Sequence, residues 1–219
     1  PAIADQRGVN FRNIIINGSM DIAQRGTSAS SISSSSTYNT CDRWLISVSS
    51  LGTWTNTQST DVPSGQGFSK SFKIDCTTAD ASPSSGAYCM VQQRIEGQNL
   101  QYLKKGTSNA EQVTLSFWVK SNKTGTYVAQ LEDTDNNRST SKSYTINSAD
   151  TWEKKTITYD ADTTGAFNND NGLSLVIEFW LGAGSTYTSG TLATSWESQT
   201  SANRAVGQVN LADNTSNEW

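Results

Sequence analysis

The sequence has 219 residues, of which 34% are apolar and 16% charged, with a formal net charge of −4. Its sixteen basic residues form no run longer than a pair, which argues against nucleic acid or an anionic membrane as the partner. Histidine is absent, so a Ser–His–Asp triad and a histidine-ligated metal centre are excluded.

The three cysteines and the first residues bear on the folding compartment. Cys41, Cys76 and Cys89 are an odd number without CxxC spacing, which predicts buried free thiols and a reducing environment during folding. The start PAIADQRGVNF lacks the apolar core of a signal peptide, and no apolar run approaches the ~18 residues of a membrane helix. Serine, threonine, asparagine and glycine are abundant, which favours strands and turns over long helices.

The N-terminal part predicts an arm followed by short extended pieces. Residues 1–12 are predicted to form an exposed, extended arm. Residues 13–24 predict a short strand, a turn at Asn17-Gly18 and a second extended piece. The polar, low-complexity stretch 26–37 predicts a surface loop.

Alternating apolar residues then predict most of the strands. In residues 41–50, Trp44 and every second residue after it face inward, whereas residues 53–60 alternate Trp54 with polar side chains and predict an edge or surface strand. Residues 97–106 predict one or two helical turns closed by Gly106. Other strands are predicted within residues 68–76, 87–96, 124–133, 142–147 and 151–160.

Two strands carry a tryptophan on the face opposite the core. In residues 113–120, VTLSFWVK, four apolar residues share one face and Trp118 lies on the other with threonine, serine and lysine. In residues 173–181, LSLVIEFWL, the same parity places Glu178 and Trp180 off the core face. A long polar loop at 182–204 follows, and residues 205–211 predict a last short strand.

About ten strands separated by turns, without a long helix, predict an all-β fold. The pattern is typical of a two-sheet antiparallel jelly-roll sandwich with an extended N-terminal arm. No internal repeat or domain boundary is visible, so we predict one domain over residues 13–219.

The stretch NIIINGSMDIAQRGTS, followed by YNTCDRW, resembles the N-terminal signature of jelly-roll domains in tail-fibre and other virion proteins of tailed bacteriophages. QQRIEGQNLQYL, VTLSFWVKSNKTGTY and TWEKKTITYD are similar to the same family and to jelly-roll carbohydrate-binding modules. The matching signature residues are Asn17, Gly18, Asp21, Gln24, Arg25, Gly26, Asp42, Arg43 and Trp44.

The resemblance implies a non-enzymatic virion component, often oligomeric and often used for attachment to host glycans. Domains of this family usually continue with another apolar strand, whereas this chain ends at Trp219. The expectation is therefore a shortened chain or a strand supplied by a neighbouring subunit.

Within the structural signature, which also includes Trp44, two interpretations of Arg25 and Asp42 remain. They dock a subunit, or Arg25 and Asp42 form a hydrogen-bonded pair that pins the first strand; arginine chemistry favours the second.

The off-core aromatic residues are the candidate glycan site, because sugars stack on indole faces beside hydrogen-bonding side chains. If their strands share a sheet, Trp118, Trp180 and Glu178 line one surface. Three further candidates lie in the edge strand and the long loop: Trp54, Tyr187 and Trp196. The competing interpretation is that a loop, the arm or another subunit covers this face.

Metal and catalytic candidates are weaker. Asp133, Asp135 and Asn137 match the start of a calcium loop, but Arg138 and Tyr144 stand where glycine and glutamate are needed, so a turn is predicted. No cofactor is expected, although jelly rolls in general can hold a structural calcium. For catalysis, a carboxylate pair of Glu178 with Glu197 or Asp133 is conceivable, but no spacing demands it.

Three functional hypotheses follow. The first is a non-enzymatic glycan-binding domain of a tail fibre or similar appendage, folded in the host cytoplasm and acting in the virion. Its partners are a host-surface glycan and other virion subunits, in a homo-oligomer for which a trimer is the guess. The second is a capsid decoration or connector protein whose outward aromatic residues are subunit contacts, and the third is a glycan hydrolase.

Overall fold

A computed structural model describes residues 13–219, so the predicted N-terminal arm at 1–12 lies outside the described residues. The described chain is built from strands joined by turns, with one four-residue α-helix, α1 at Ser185–Thr188, and short 3-10 helices at Gly97–Asn99, Gln101–Leu103, Ser201–Asn203 and Leu211–Asp213. The first two of these are the helical turns predicted within residues 97–106. None of the helical segments described is long and apolar enough to span a membrane. The strands are β1 Ser28–Thr37, β2 Trp44–Ser59, β3 Ser71–Thr78, β4 Tyr88–Glu96, β5 Val113–Val119, β6 Gly125–Asp133, β7 Arg138–Ile146, β8 Glu153–Tyr159, β9 Leu173–Ala183 and β10 Glu197–Ser198.

Over residues 13–219 the ten strands form two antiparallel sheets, which confirms the predicted all-β sandwich. The larger sheet has the order β1-β2-β4-β9-β6-β7-β10, with β3 also paired to β2. The smaller sheet contains β5 and β8, and the Tyr159 hydroxyl donates to the Ala129 carbonyl oxygen of β6 at 3.1 Å. The smaller sheet therefore packs over the inner face of the larger one.

The core follows the predicted alternation. Inward residues of β2 and β9 are buried in one cluster: Trp44, Ile46, Val48, Leu175, Ile177, Phe179 and Leu181. The three cysteines are buried free thiols, as predicted. Burial raises the pKa of the Cys41 thiol to about 11, so the thiol stays protonated and unreactive at neutral pH.

A bend in β2 separates β3 from the rest of the larger sheet. Residues 44–49 pair with β4, whereas residues 53–59 pair with β3. Gly52 lies between these halves with φ +62°, and a Cβ there would lie 2.6 Å from the Thr78 carbonyl oxygen. The bend allows β3 to face β5 across a cavity.

Three segments differ from the prediction. Most of the polar stretch 26–37 is strand β1, because β2 offers an antiparallel edge and serine tolerates extended backbone; Ser36 and Ser47 hydroxyls meet at 2.6 Å. Residues 13–24 form a turn at Asn17, with φ +53°, but no strand. Residues 205–211 are turns instead of a strand.

The last residues pair with β3. Ile74 and Trp219 exchange backbone hydrogen bonds of 2.9 and 3.0 Å, and the Trp219 indole N–H donates to the Tyr144 hydroxyl at 3.1 Å. The Ser121 hydroxyl, just beyond β5, donates to the Glu218 carbonyl oxygen at 2.5 Å. The C-terminal residues thus connect β3 to one end of the smaller sheet.

Candidate functional site

Trp118 lies on the outer face of the smaller sheet, as its parity predicted. Its register partner on β8 is Lys154, and Ser116 is opposite Thr156. Directly opposed residues of an antiparallel pair project to the same side, so these side chains share one polar face. Trp118 is half-buried, while Ser116, Lys154 and Thr156 are exposed.

Trp152 precedes Lys154 by two residues and extends the same face. Its indole N–H donates to the Asp61 carboxylate at 2.9 Å, and the Lys120 ammonium lies 5.8 Å from its ring centroid. Lys120 also pairs with Asp61, and the hydrogen bonds from Lys120 and Trp152 lower the pKa of the Asp61 carboxyl. Two indoles therefore lie on one outer face, and that of Trp152 is held by a hydrogen bond to the Asp61 carboxylate.

A cavity of about 700 Å³ opens between β5 and β3. Its floor is part of the inner face of the larger sheet, with Trp44, Val91 and Phe179. Trp118 and Trp152 line one side, and the opposite side is formed by residues of β3, its preceding loop and the C-terminus: Pro63, Phe68, Lys70, Ser71, Phe72 and Trp219. This volume lies in the range of small-ligand sites, ~300–1,000 Å³.

The cavity exists because β5 has a partner on one side alone among residues 13–219. β8 pairs with β5, and no other described backbone group bonds to the strand. As a result Val113, Leu115 and Phe117 have the predicted core orientation but are half-buried. A second cavity of about 330 Å³ lies along the first half of β5, from Val113 to Ser116.

Trp180 is fully buried, so its predicted exposure is wrong. The polar loop after β9 folds back over the outer face of the larger sheet and packs on the indole. The Tyr187 ring centroid lies 5.3 Å from that of Trp180, and the Arg204 guanidinium lies 5.1 Å from the ring. Met90 and Val128 complete this second, smaller core. Trp118 and Trp180 also lie in different sheets and share no surface.

Glu178 is likewise buried beneath this loop, contrary to the predicted exposed site. Its carboxylate accepts from Arg204 at 2.7 Å and from the Gln92 amide at 2.6 Å. Burial raises the pKa of Glu178 to about 7, although the Arg204 charge opposes the shift. The other carboxylates considered for catalysis have their own partners: Glu197 accepts from the Asn203 amide at 2.8 Å and Asp133 from the Lys105 ammonium at 2.6 Å.

The remaining aromatic candidates anchor structure. Trp54 is fully buried and donates to the Leu51 carbonyl oxygen at 2.6 Å, so the predicted surface strand is wrong at this position. It is buried because the bend of β2 turns it into the main core. Trp196 is half-buried, donates to the Asp160 carbonyl oxygen at 2.9 Å and lies over the Lys105 ammonium.

The calcium-like stretch forms a turn, as predicted. The Asp133 carboxylate accepts the backbone N–H groups of Asp135 and Asn136. Its other oxygen lies 2.6 Å from the Lys105 ammonium, which also contacts the Asp162 carboxylate at 2.9 Å. A lysine therefore supplies the positive charge at this cluster.

The signature residues pin the N-terminal turn. The Asn17 amide donates to the Ile22 and Asp42 carbonyl oxygens, and the Trp44 indole donates to the Asn17 carbonyl oxygen at 3.1 Å. Arg25 is exposed and lies 3.5 Å from Asp42, a looser pair than predicted. Trp44 belongs to the core and lines the cavity floor.

Several lining residues were not among the sequence candidates, including Phe68, Lys70, Trp152 and Lys154. For Trp152 a signal existed, because it alternates with Lys154, Thr156 and Thr158 on the polar face of β8. Nothing in the sequence placed the loop before β3 beside β5.

No family model matches this chain, and no curated protein matches it. Among solved structures, the chain is similar to the crystal structure of the enzymatically active domain of tailspike protein 4 from bacteriophage CBA120. The TM-score is 0.42 and the sequence identity is 19%. The match covers 76% of this chain and 19% of the length of the tailspike chain. No function follows from a likeness of this extent.

Proposed function

We propose that this chain is a non-enzymatic virion protein of a tailed phage whose cavity between β5 and β3 binds a host-surface glycan. The observation that carries the proposal is the pair Trp118 and Trp152, on one polar face beside the cavity. A sugar ring offers apolar C–H groups on its faces and hydroxyls at its edge. Indole faces supply contact for the first, and hydroxyl-bearing neighbours such as Ser116 bond to the second.

The phage assignment is supported by the N-terminal signature. In the structure these residues stabilise the first turn, because the Asn17 side chain donates to the Asp42 carbonyl oxygen and the Trp44 indole donates to the Asn17 carbonyl oxygen. The same turn borders the cavity, since Asn17 and Gly18 line it.

A binding role is favoured over hydrolysis by the lining of the cavity. Of the described residues that line it, none is an aspartate or glutamate. Glycosidases generally need two carboxylates about 5 to 10 Å apart across the bound sugar. No product is therefore expected from oligosaccharides incubated with the protein.

A second candidate is a capsid decoration or connector role, and the unpaired edge of β5 favours it. Exposed strand edges are templates for pairing with another chain. A strand from a neighbouring subunit in the cavity would bury the half-buried side chains of β5 and block the indoles.

The Trp118→Ala variant tests the first candidate against the second. Since Trp118 is half-buried on an outer face, we expect the fold to persist and glycan affinity to fall by at least about tenfold, the scale of losing one stacking contact. Tyr38→Ala is the control, because Tyr38 is a half-buried aromatic residue outside the cavity lining. Calorimetric titration with host polysaccharide gives affinity, and sedimentation gives assembly state.

The two candidates predict opposite outcomes. Loss of binding with unchanged assembly supports glycan recognition, provided that Tyr38→Ala retains affinity. Loss of assembly in Trp118→Ala, with no glycan bound by the wild-type protein, supports the structural role instead.

A further inference from the structure

The charged residues that line the cavity are of one sign. Of the described lining residues, Lys70 and Lys154 carry a charge and none is acidic. This is unexpected for a chain with a formal net charge of −4 and more acidic than basic residues. The cavity is thus a positive site on a protein that is negative as a whole.

The two lysines also differ from nearby lysines in their partners. Lys73 pairs with Asp75 and Glu218, and Lys120 pairs with Asp61. Within residues 13–219, neither Lys70 nor Lys154 forms an ion pair with a carboxylate. Their ammonium groups are therefore available to a ligand.

The neighbouring carboxylates are engaged with other groups, as Asp61 is with Lys120 and the Trp152 indole. The Ser69 hydroxyl donates to the Asp21 carboxylate at 2.6 Å and is the main cause that lowers the pKa of Asp21, to which the charge of Lys70 adds a smaller effect. Glu153 precedes Lys154, yet its carboxylate bonds to Lys155 at 2.5 Å and to the backbone N–H of Ser148 at 2.9 Å. These contacts lower the pKa of Glu153 to about 2, so it remains ionised and engaged at neutral pH.

The positions of the two lysines suit a ligand that spans the cavity. Lys154 is the register partner of Trp118, so it lies beside an indole on the β5–β8 side. Lys70 directly precedes β3, on the opposite side. A cleft lined by charge of one sign concentrates oppositely charged ligands near it, and a bound anion makes charge-assisted hydrogen bonds with ammonium groups.

From this arrangement we infer that the cavity selects an acidic glycan, in which anionic substituents contact Lys70 on one side and Lys154 on the other while a sugar ring stacks on Trp118 or Trp152. The inference rests on the proposed glycan-binding function and adds the chemical class of the ligand. The chain's own residues point to uronic or sialic acid residues, or to sulfated or phosphorylated sugars, over neutral polysaccharides.

The test uses the full chain and ligands matched in everything but charge. Oligogalacturonate, alginate, hyaluronate and polysialate are titrated beside their carboxyl-reduced forms, and dextran sulfate is titrated beside dextran. The variant Lys70→Gln/Lys154→Gln is compared with Lys104→Gln/Lys123→Gln, which makes the same change in net charge outside the cavity lining.

We expect an acidic ligand to bind and its neutral form not to bind. The cavity variant should lose affinity by about tenfold to a hundredfold, and the control variant by less than about threefold. Raising the salt from about 0.05 M to about 0.5 M should weaken wild-type binding, since the Debye length shortens from above ~10 Å to a few ångströms. Binding of dextran sulfate alone would assign the substituent as a sulfate or phosphate.

Equal binding of a carboxylate glycan and its reduced form would overturn the acidic class and leave glycan binding intact. An equal loss of affinity in the two double variants would also overturn it, because the effect would then reflect net charge. If none of the ligands bound, acidic or neutral, the glycan-binding function itself would be overturned. The second candidate, a strand from another chain in the cavity, would then be favoured.

Discussion

Arg204 holds the loop that buries Trp180. The variant Arg204→Met should lower the free energy of unfolding, and the size of this loss measures how much the buried Arg204 contacts stabilise the loop. The guanidinium donates to Gln130 at 2.8 Å, to Glu132 at 3.0 Å and to Glu178 at 2.7 Å. The Arg204 side chain is 14% exposed and that of Glu178 is 1% exposed. Methionine preserves the length of the side chain while removing its charge and donors.

The expected cost follows from leaving Glu178 buried without its cation. Breaking one side of a buried ion pair costs about 3–5 kcal/mol. Glu178 can limit this loss by taking up a proton, because burial has already raised its pKa to about 7. We therefore expect a loss of about 3 kcal/mol in the free energy of unfolding below pH ~7.

The loss should grow at higher pH. Glu178 has a folded-state pKa above its ordinary value of 4.5, so its contribution to stability falls as the pH rises through the folded pKa. In the wild-type protein this fall ends near pH 7, whereas without Arg204 the folded pKa lies higher and the fall continues. The difference in stability between the two proteins should increase by about 1.4 kcal/mol per pH unit above ~7.

Urea unfolding followed by tryptophan fluorescence at several pH values between about 6 and 9 measures this difference. Arg25→Met is the control, since the Arg25 side chain is 58% exposed and should cost less than about 1 kcal/mol at every pH. The double variant Arg204→Met/Glu178→Gln lacks the titrating group and should show no increase. A pH-independent loss in Arg204→Met, or the same pH dependence in the double variant, would refute this account of the outer face.

Two further substitutions test the bend of β2 and the buried lysine. Gly52→Ala should destabilise the fold by about 1–3 kcal/mol in thermal unfolding, because the positive φ is unfavourable for alanine and its Cβ would clash with backbone. Gly65→Ala is the control and should cost less, since Gly65 also has a positive φ, +74°, but nothing lies within 4 Å of a Cβ there. Equal losses of stability in the two variants would show that the clash at Gly52 has no effect. Lys105→Met should cost about 3–5 kcal/mol because it leaves the Asp133 carboxylate buried without its cation, whereas Lys104→Met at the exposed neighbour should cost below about 1 kcal/mol. Similar losses in the two lysine variants would show that the buried contact does not stabilise the fold.

Local patterns were sufficient for most of the strands and for their core faces. Alternation placed Leu175, Ile177 and Phe179 inward on β9, and it placed Trp118 outward on β5. These predictions hold because the period of two is a property of extended backbone and does not depend on what packs against it. The turn at Asn17-Gly18 was readable for a similar reason, since asparagine tolerates positive φ.

The candidate site was readable in part. Trp118 was identified, but Trp54, Trp180 and Glu178 were assigned to a surface and are buried. Parity divides a strand into two faces without stating whether one or both are covered. Tyr187 and Arg204, which cover Trp180, come from the loop after β9. The polar composition of this loop gives no sign that it packs on the sheet.

The amino-acid order by itself determined that this protein is an all-β sandwich, because hydrophobic alternation and turn chemistry are local. Tertiary structure decided which outer face stays open and which is sealed. It left β5 without a second partner among residues 13–219, placed Lys70 across from Trp118 and folded the loop after β9 over Trp180. Such contacts join residues that are far apart in the chain. The burial and the net charge around a residue depend on all of its spatial neighbours, and no short stretch of sequence shows which residues these are.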